Sequence, residues 1–195
     1  MFSIRKSSLL GVVACAGSSG CVREPAERLC PEVEVGALVV SELRIAARRG
    51  GGEESATWIE LFNASGAEVD LLGIGVRARR LDGGAEQRLL VRRELVVADG
   101  GWVVLSQTDD EARPDYADYG FGAVAAAPFY ATAELAVESC ERVVDRMTYG
   151  KLAVDASYAL GAWPPSASGN DEAAAWCADG SGAPGPPGER NSPCR

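Results

Sequence analysis

The chain has 195 residues and a formal net charge of −9, with 28 acidic residues against 19 basic ones and no histidine. Without histidine, neither the Ser-His-Asp nor the Cys-His catalytic set can be assembled, and the usual histidine-based metal sites are excluded as well. The acidic balance repels polyanions on average, which sets the chain against nucleic acid as a partner.

Residues 1–20 open with Arg5 and Lys6, run through an apolar stretch from Leu9 to Ala16, and end in Gly17-Ser18-Ser19-Gly20 before Cys21. This is the pattern of an export signal, since the apolar stretch is about half of the roughly 20 residues a membrane span needs. Small residues directly before a cysteine resemble the bacterial lipobox. Cys21 is therefore expected to carry lipid as the first residue of the mature chain, and Val22 in place of Asp favours the outer membrane. Membrane contact is expected through that anchor only; without lipid on Cys21 the product is secreted or periplasmic. Loss of Arg5 and Lys6 with the signal lowers the charge from −9 by two, to −11.

Residues 21–35 are polar, contain Pro25 and Pro31, and read as a tether. Residues 36–162 consist of short β-branched or aromatic runs separated by Gly, Asp and Asn, the pattern of an all-β sandwich. Strands are expected over Leu38 to Ala46, Thr57 to Asn63, Gly73 to Leu81, Gln87 to Arg92, Gly101 to Ser106, Glu134 to Glu138, Arg142 to Tyr149 and Ser157 to Leu160. Asp82-Gly83-Gly84 and Asp99-Gly100-Gly101 supply turn chemistry. The stretch from Thr108 to Ala133 is expected to be an extended loop with a short strand, and its length makes it a candidate for function. Residues 163–195 are rich in Pro and Gly, cannot enter a central strand, and are expected to wrap the sandwich under a disulfide.

With Cys21 lipidated, Cys30, Cys140, Cys177 and Cys194 remain for two disulfides in an exported protein. Three pairings are open. Cys177 with Cys194, both in the tail, is favoured, which leaves Cys30 with Cys140. The lack of histidine and of a C-x-x-C pair argues against zinc.

Several segments together resemble the lamin tail domain, an immunoglobulin-like β-sandwich that is also widespread in secreted bacterial proteins. They are Val39-Val40-Ser41-Glu42-Leu43, Trp58-Ile59-Glu60-Leu61-Phe62-Asn63, Val69-Asp70-Leu71-Leu72-Gly73, Val97 to Leu105 and Asp145 to Gly150. Trp176-Cys177 and the run from Pro184-Gly185 to Cys194 resemble the cysteine-closed ending of bacterial members. The resemblance spans about residues 36 to 194. It implies an immunoglobulin-like sandwich with a binding or scaffolding habit toward a protein or glycan partner, and no catalytic residues or cofactor.

Period-two alternation places Leu38, Val40, Glu42 and Arg44 on one face of the first strand, and Trp58, Glu60 and Phe62 together in the second. If these strands pair, Glu42 and Glu60 approach one another. Two close carboxylates either raise a pKa or hold a cation such as calcium, although calcium takes six to eight oxygens. The plainer expectation is that each accepts bonds from loop N–H groups or from an arginine. The arginines at 48–49, 77–80 and 88–93 are interleaved with acids and read as a charge-paired face, with a phosphate-, lipid-headgroup- or nucleic-acid-binding stripe as the alternative. Trp58, Trp102 and Tyr149 are expected in the core more readily than in a groove, and Asn63 is expected to cap a turn. A carboxylate-based hydrolase is the remaining enzymatic alternative.

Overall fold

The computed structural model describes residues 29–45, 57–122, 130–150, 152, 156–179 and 185–194. The signal segment, Cys21, and the arginines at 48–49 lie outside these residues. Alternating β-branched residues build β1 (Leu38–Arg44), β2 (Trp58–Asn63), β3 (Val69–Asp70), β4 (Ile74–Arg80), β5 (Glu86–Leu90) and β6 (Val96–Val97). They are followed by β7 (Trp102–Ser106), β8 (Tyr119–Gly120), β9 (Ala133–Ser139), β10 (Arg142–Tyr149), β11 (Tyr158–Leu160) and β12 (Trp176–Ala178), with a short α1 (Ala167–Asn170) before the last. The fold is all-β, and no described helix is long and apolar enough to cross a membrane.

A six-stranded sheet runs β12-β11-β1-β2-β7-β8, a four-stranded sheet runs β10-β9-β4-β5, and β3 pairs with β6. Between the two larger sheets lies one apolar core. Leu38, Val40, Leu43, Ile59, Leu61 and Leu105 enter it from the first sheet, and Ile74, Val76, Leu135, Val137 and Met147 from the second. A side chain of this size contributes about 1.5–3 kcal/mol when buried, so a one-residue slip that turned a strand's inner set to the other face is strongly opposed.

The simple alternation expected for β1 is corrected by a β-bulge between Val40 and Glu42. The extra residue lets Leu38, Val40 and Leu43 all enter the core and turns Glu42 away from it. β11 pairs with β1 only at Glu42 and Leu43. Beyond that point the freed Val40 N–H donates to Asp145 Oδ2 at 2.8 Å, and Val40 C=O accepts from Asn170 Nδ2 at 3.2 Å.

The segment read as tether joins the packed structure from Leu29 onward. Cys30 is bonded to Cys140, Ser139 Oγ donates to Pro31 C=O at 2.5 Å, and Val33 is buried. The packed domain therefore begins ahead of Gly36. The tail is also more regular than expected, since it supplies α1 and the edge strand β12, and its Cys177–Cys194 bond is present. Gly161 admits that closure, because a Cβ there would stand 2.4 Å from Cys194 N.

Candidate functional site

Glu42 and Glu60 occupy one rung of the six-stranded sheet, directly opposite each other on β1 and β2. Cross-strand partners have Cβ atoms about 4.5–5.5 Å apart, so the two carboxyl groups are neighbours. Both point to the sheet's outer face. That face is covered: Tyr116 and Ala117 pack on Trp58, Trp163 packs on Phe62 and Trp102, and the strap Gly185–Asn191 lies over the glutamates. Every residue of β1 and β2 is consequently buried.

The strap touches the carboxyl pair through main chain and amide. Gly188 N–H donates to Glu60 Oε2 at 2.7 Å, and Asn191 Nδ2 donates to Ser41 C=O at 2.9 Å. Ser41 is the unpaired residue of the bulge, and its Oγ donates to Glu60 Oε1 at 2.6 Å. Gly185 has φ +98, and a Cβ there would stand 2.6 Å from Ser157 Oγ and 2.9 Å from Glu42 Oε1. Glycine is required by both the left-handed backbone and the close approach.

Burial dominates the electrostatics. Desolvation pushes Glu60 up to about 8, opposed by the Ser41 bond, with the Glu42 charge raising it further. Desolvation likewise pushes Glu42 up to about 7, with Ser157 lowering it and Asp179 raising it. Ser157 is the side chain that lowers Glu42 by hydrogen bonding, and no main-chain or arginine donor reaches the Glu42 carboxyl among the described residues. A buried polar atom left unpaired costs about 1–3 kcal/mol. The expectation of loop N–H donors thus holds for Glu60 through Gly188 and fails for Glu42. Neither glutamate has an arginine partner among the described residues, and no three acidic or sulfur side chains there converge as a metal set.

A third buried acid, Asp145, accepts from Val40 N–H and from Asn170 Nδ2 at 2.7 Å. Desolvation pushes it up to about 6. Its role is to bind the two sheets at the β1 bulge, which nothing in local periodicity indicates. Ser157, Gly185, Gly188 and Asn191 were equally illegible as neighbours of Glu42 and Glu60, because they arrive from about a hundred or more positions away; for the last three, only the dense glycine and proline signalled a turn.

The other candidates resolve into packing. Trp58 and Tyr149 are buried, and Trp102 stacks on Trp163, whose ring Arg190 covers at 4.4 Å. Asn63 caps its turn, bonding Ala67, Val97 and Ala98 carbonyls and the Ser65 N–H. On the outer face of the four-stranded sheet, Arg77 meets Glu138 at 2.6 Å, Glu134 at 3.2 Å and Glu86 at 3.7 Å, and Arg88 meets Glu86 at 2.9 Å. The arginine stripe is charge-paired at these positions. Residues 108–122 of the long loop are tied down by Arg93, which holds Asp110 at 2.8 Å and the Asp118 carbonyl at 2.7 Å. Neither protein-family models nor curated proteins yield a match to this chain.

Proposed function

We propose that this chain is a non-catalytic, lipid-anchored envelope module of the lamin-tail, immunoglobulin-like type, which binds or scaffolds a protein or glycan partner through the outer face of β10-β9-β4-β5. The observation that carries this reading is the asymmetry of the two outer faces. The face of β1 and β2 is covered by the strap and by Trp163, whereas the opposite face exposes Arg79, Arg88, Leu90, Arg146 and Thr148. A bare, ion-paired sheet face on a disulfide-closed domain is a surface built to stay rigid while it is touched. The two disulfides support an oxidising, non-cytoplasmic location. Export through residues 1–20 and lipidation of Cys21 complete the reading.

The test is recovery of partners from membranes by the wild type and by R79E/R88E, with the intact mass of the extracted wild type read in parallel. The expected result is loss of the partner with the charge-reversed face and a lipid-sized mass increment on Cys21. Equal recovery by both proteins removes the face from the reading, and an unmodified Cys21 removes the anchor.

A further inference from the structure

We propose that β5 is a pairing edge, and that its occupant is β5 of a second copy of this chain, added antiparallel about a two-fold axis through Gln87. The inference concerns the rim of the four-stranded sheet and stands apart from the partner-binding reading of its face. The edges of the two larger sheets differ in what they offer. β8 is two residues long, and β12 is three residues long and carries the Cys177–Cys194 bridge. β10 is bulged between Val143 and Asp145, and its Val144 C=O accepts the Gly36 N–H at 2.7 Å. β5 keeps one register with β4 from Glu86 to Leu90 and has no bulge, proline or lysine, the devices that commonly blunt an exposed edge.

The ladder with β4 fixes which main-chain groups β5 turns outward. Arg80 N–H donates to Ala85 C=O at 3.0 Å, and Val91 N–H donates to Ile74 C=O at 2.9 Å. Bonded pairs alternate with unbonded ones along an antiparallel ladder. Gln87 and Leu89 therefore bond β4, whereas the N–H and C=O groups of Glu86, Arg88 and Leu90 point to the side where the sheet ends. At one end Leu90 C=O accepts the Tyr119 hydroxyl at 3.3 Å, so the open template runs from Glu86 to Arg88.

Charge names the occupant. Two such edges bond where outward groups meet outward groups, and an axis through Gln87 sets Glu86 opposite the second copy's Arg88 and, by symmetry, Arg88 opposite the second copy's Glu86. Opposite charges directly across a rung stabilise it, and like charges destabilise it. The neighbouring symmetric registers set Arg88 against Arg88 or Glu86 against Glu86, so the charge pattern selects the register through Gln87. Glu86 and Arg88 already meet within one chain at 2.9 Å while partly exposed, so pairing extends an ion pair and buries no bare charge. The same register lays the exposed Leu90 against Gly84 of the second copy, where no side chain stands in its way. The product is an isologous dimer in which the two four-stranded sheets become continuous.

The experiment is sedimentation equilibrium of the full chain at about 0.15 M salt, which screens the repulsion between two acidic copies beyond about 8 Å. The concentration runs from about 1 μM to about 1 mM, the span that suits a contact smaller than the standard interface. A reversible monomer–dimer equilibrium is expected. Glu86→Arg and Arg88→Glu are each expected to raise the dissociation constant by at least about tenfold, because either reversal puts like charges on both symmetric rungs. The double variant Glu86→Arg/Arg88→Glu restores both pairs and is expected to return to within about threefold of the wild type. Arg142→Glu, which makes the same charge change on β10, is expected to associate as the wild type does. Absence of a dimer at the highest concentration overturns the proposal, and so does a double variant as weak as either single one. Equal weakening by Arg142→Glu assigns the effect to net charge and also overturns it. If charge reversal unfolds the chain, Arg88→Pro decides: it deletes an outward N–H that β4 does not use, and it is expected to abolish the dimer. Unchanged association in that variant overturns the pairing.

Discussion

At the scale of single residues, Gly185 carries more of the architecture than its composition class suggests. Its positive φ and its contact with Ser157 Oγ and Glu42 Oε1 are independent constraints. Gly66 shares the first of these, with φ +79, and has open space around it. A left-handed backbone costs a side-chain-bearing residue about 1–2 kcal/mol. Gly66→Ala is therefore expected to lose about that much in urea denaturation. Gly185→Ala is expected to lose more, about 3 kcal/mol, because the strap must also shift. Equal losses would mean that the strap is loosely seated. Cys140 illustrates the opposite choice: a non-glycine residue at φ 54, held at the turn between β9 and β10 by its bond to Cys30.

At the scale of elements, the long connection after β7 is ordered by arginine rather than by strand pairing. Arg93 grips Asp110 through Nε and Nη2, reaches the Asp118 carbonyl, and lies over the Tyr119 ring at 5.1 Å. Asp110 in turn accepts the Gly120 N–H at 2.9 Å, which places β8 beside β7. Arg93 is partly exposed, so its charge alone contributes little after solvent screening. Its larger effect is positional, through several bonds made at once. Arg93→Ala is expected to cost about 1–2 kcal/mol and to speed hydrogen exchange at Gly120 by at least about tenfold, with the β4 and β9 amides unchanged. Unaltered exchange at Gly120 would show that Asp110 holds the loop without Arg93. The stretch expected from its length to be an extended loop and a candidate for function is, over residues 108–122, a fixed part of the frame.

At the scale of the whole molecule, three buried carboxyl groups set the response to pH. Glu42, Glu60 and Asp145 have folded-state pKa values of about 7, 8 and 6, above the ordinary 4.5 for Glu and 3.8 for Asp. Between the ordinary and raised values the folded state holds protons that the unfolded state has released, so stability falls as pH rises. Asp110 has the opposite sign: Arg93 holds it below its ordinary value, so its contribution is lost as pH falls through the acid range. Tm is expected to peak near about pH 5 and to decline steadily toward about pH 8. It should fall again in strong acid. A flat profile between about pH 5 and 8 would place the three carboxyls in contact with water.

What the sequence determined alone is what short-range physics controls. Alternation in Trp58 to Asn63 marked a strand and grouped Trp58, Glu60 and Phe62 on one side, because a pleated strand presents every second side chain to one side. Asp-Gly and Asn turns marked their ends, and the cysteine spacing made the tail pair the natural one. The pairing of Glu42 with Glu60 was legible only as a condition on two strands meeting. Tertiary structure alone decided the rest: the bulge that turns Glu42 outward, the strap that seals it, the Asp145–Asn170 clasp on Val40, and the short strands β3, β6 and β12. Each of these depends on partners distant in the chain, where no local period carries information, and its free energy arises only when the layers close on one another. The same separation explains the carboxyl pair. Their identity was written in the strands, whereas their burial, and with it their chemistry, was imposed by a glycine-rich segment from the far end of the chain.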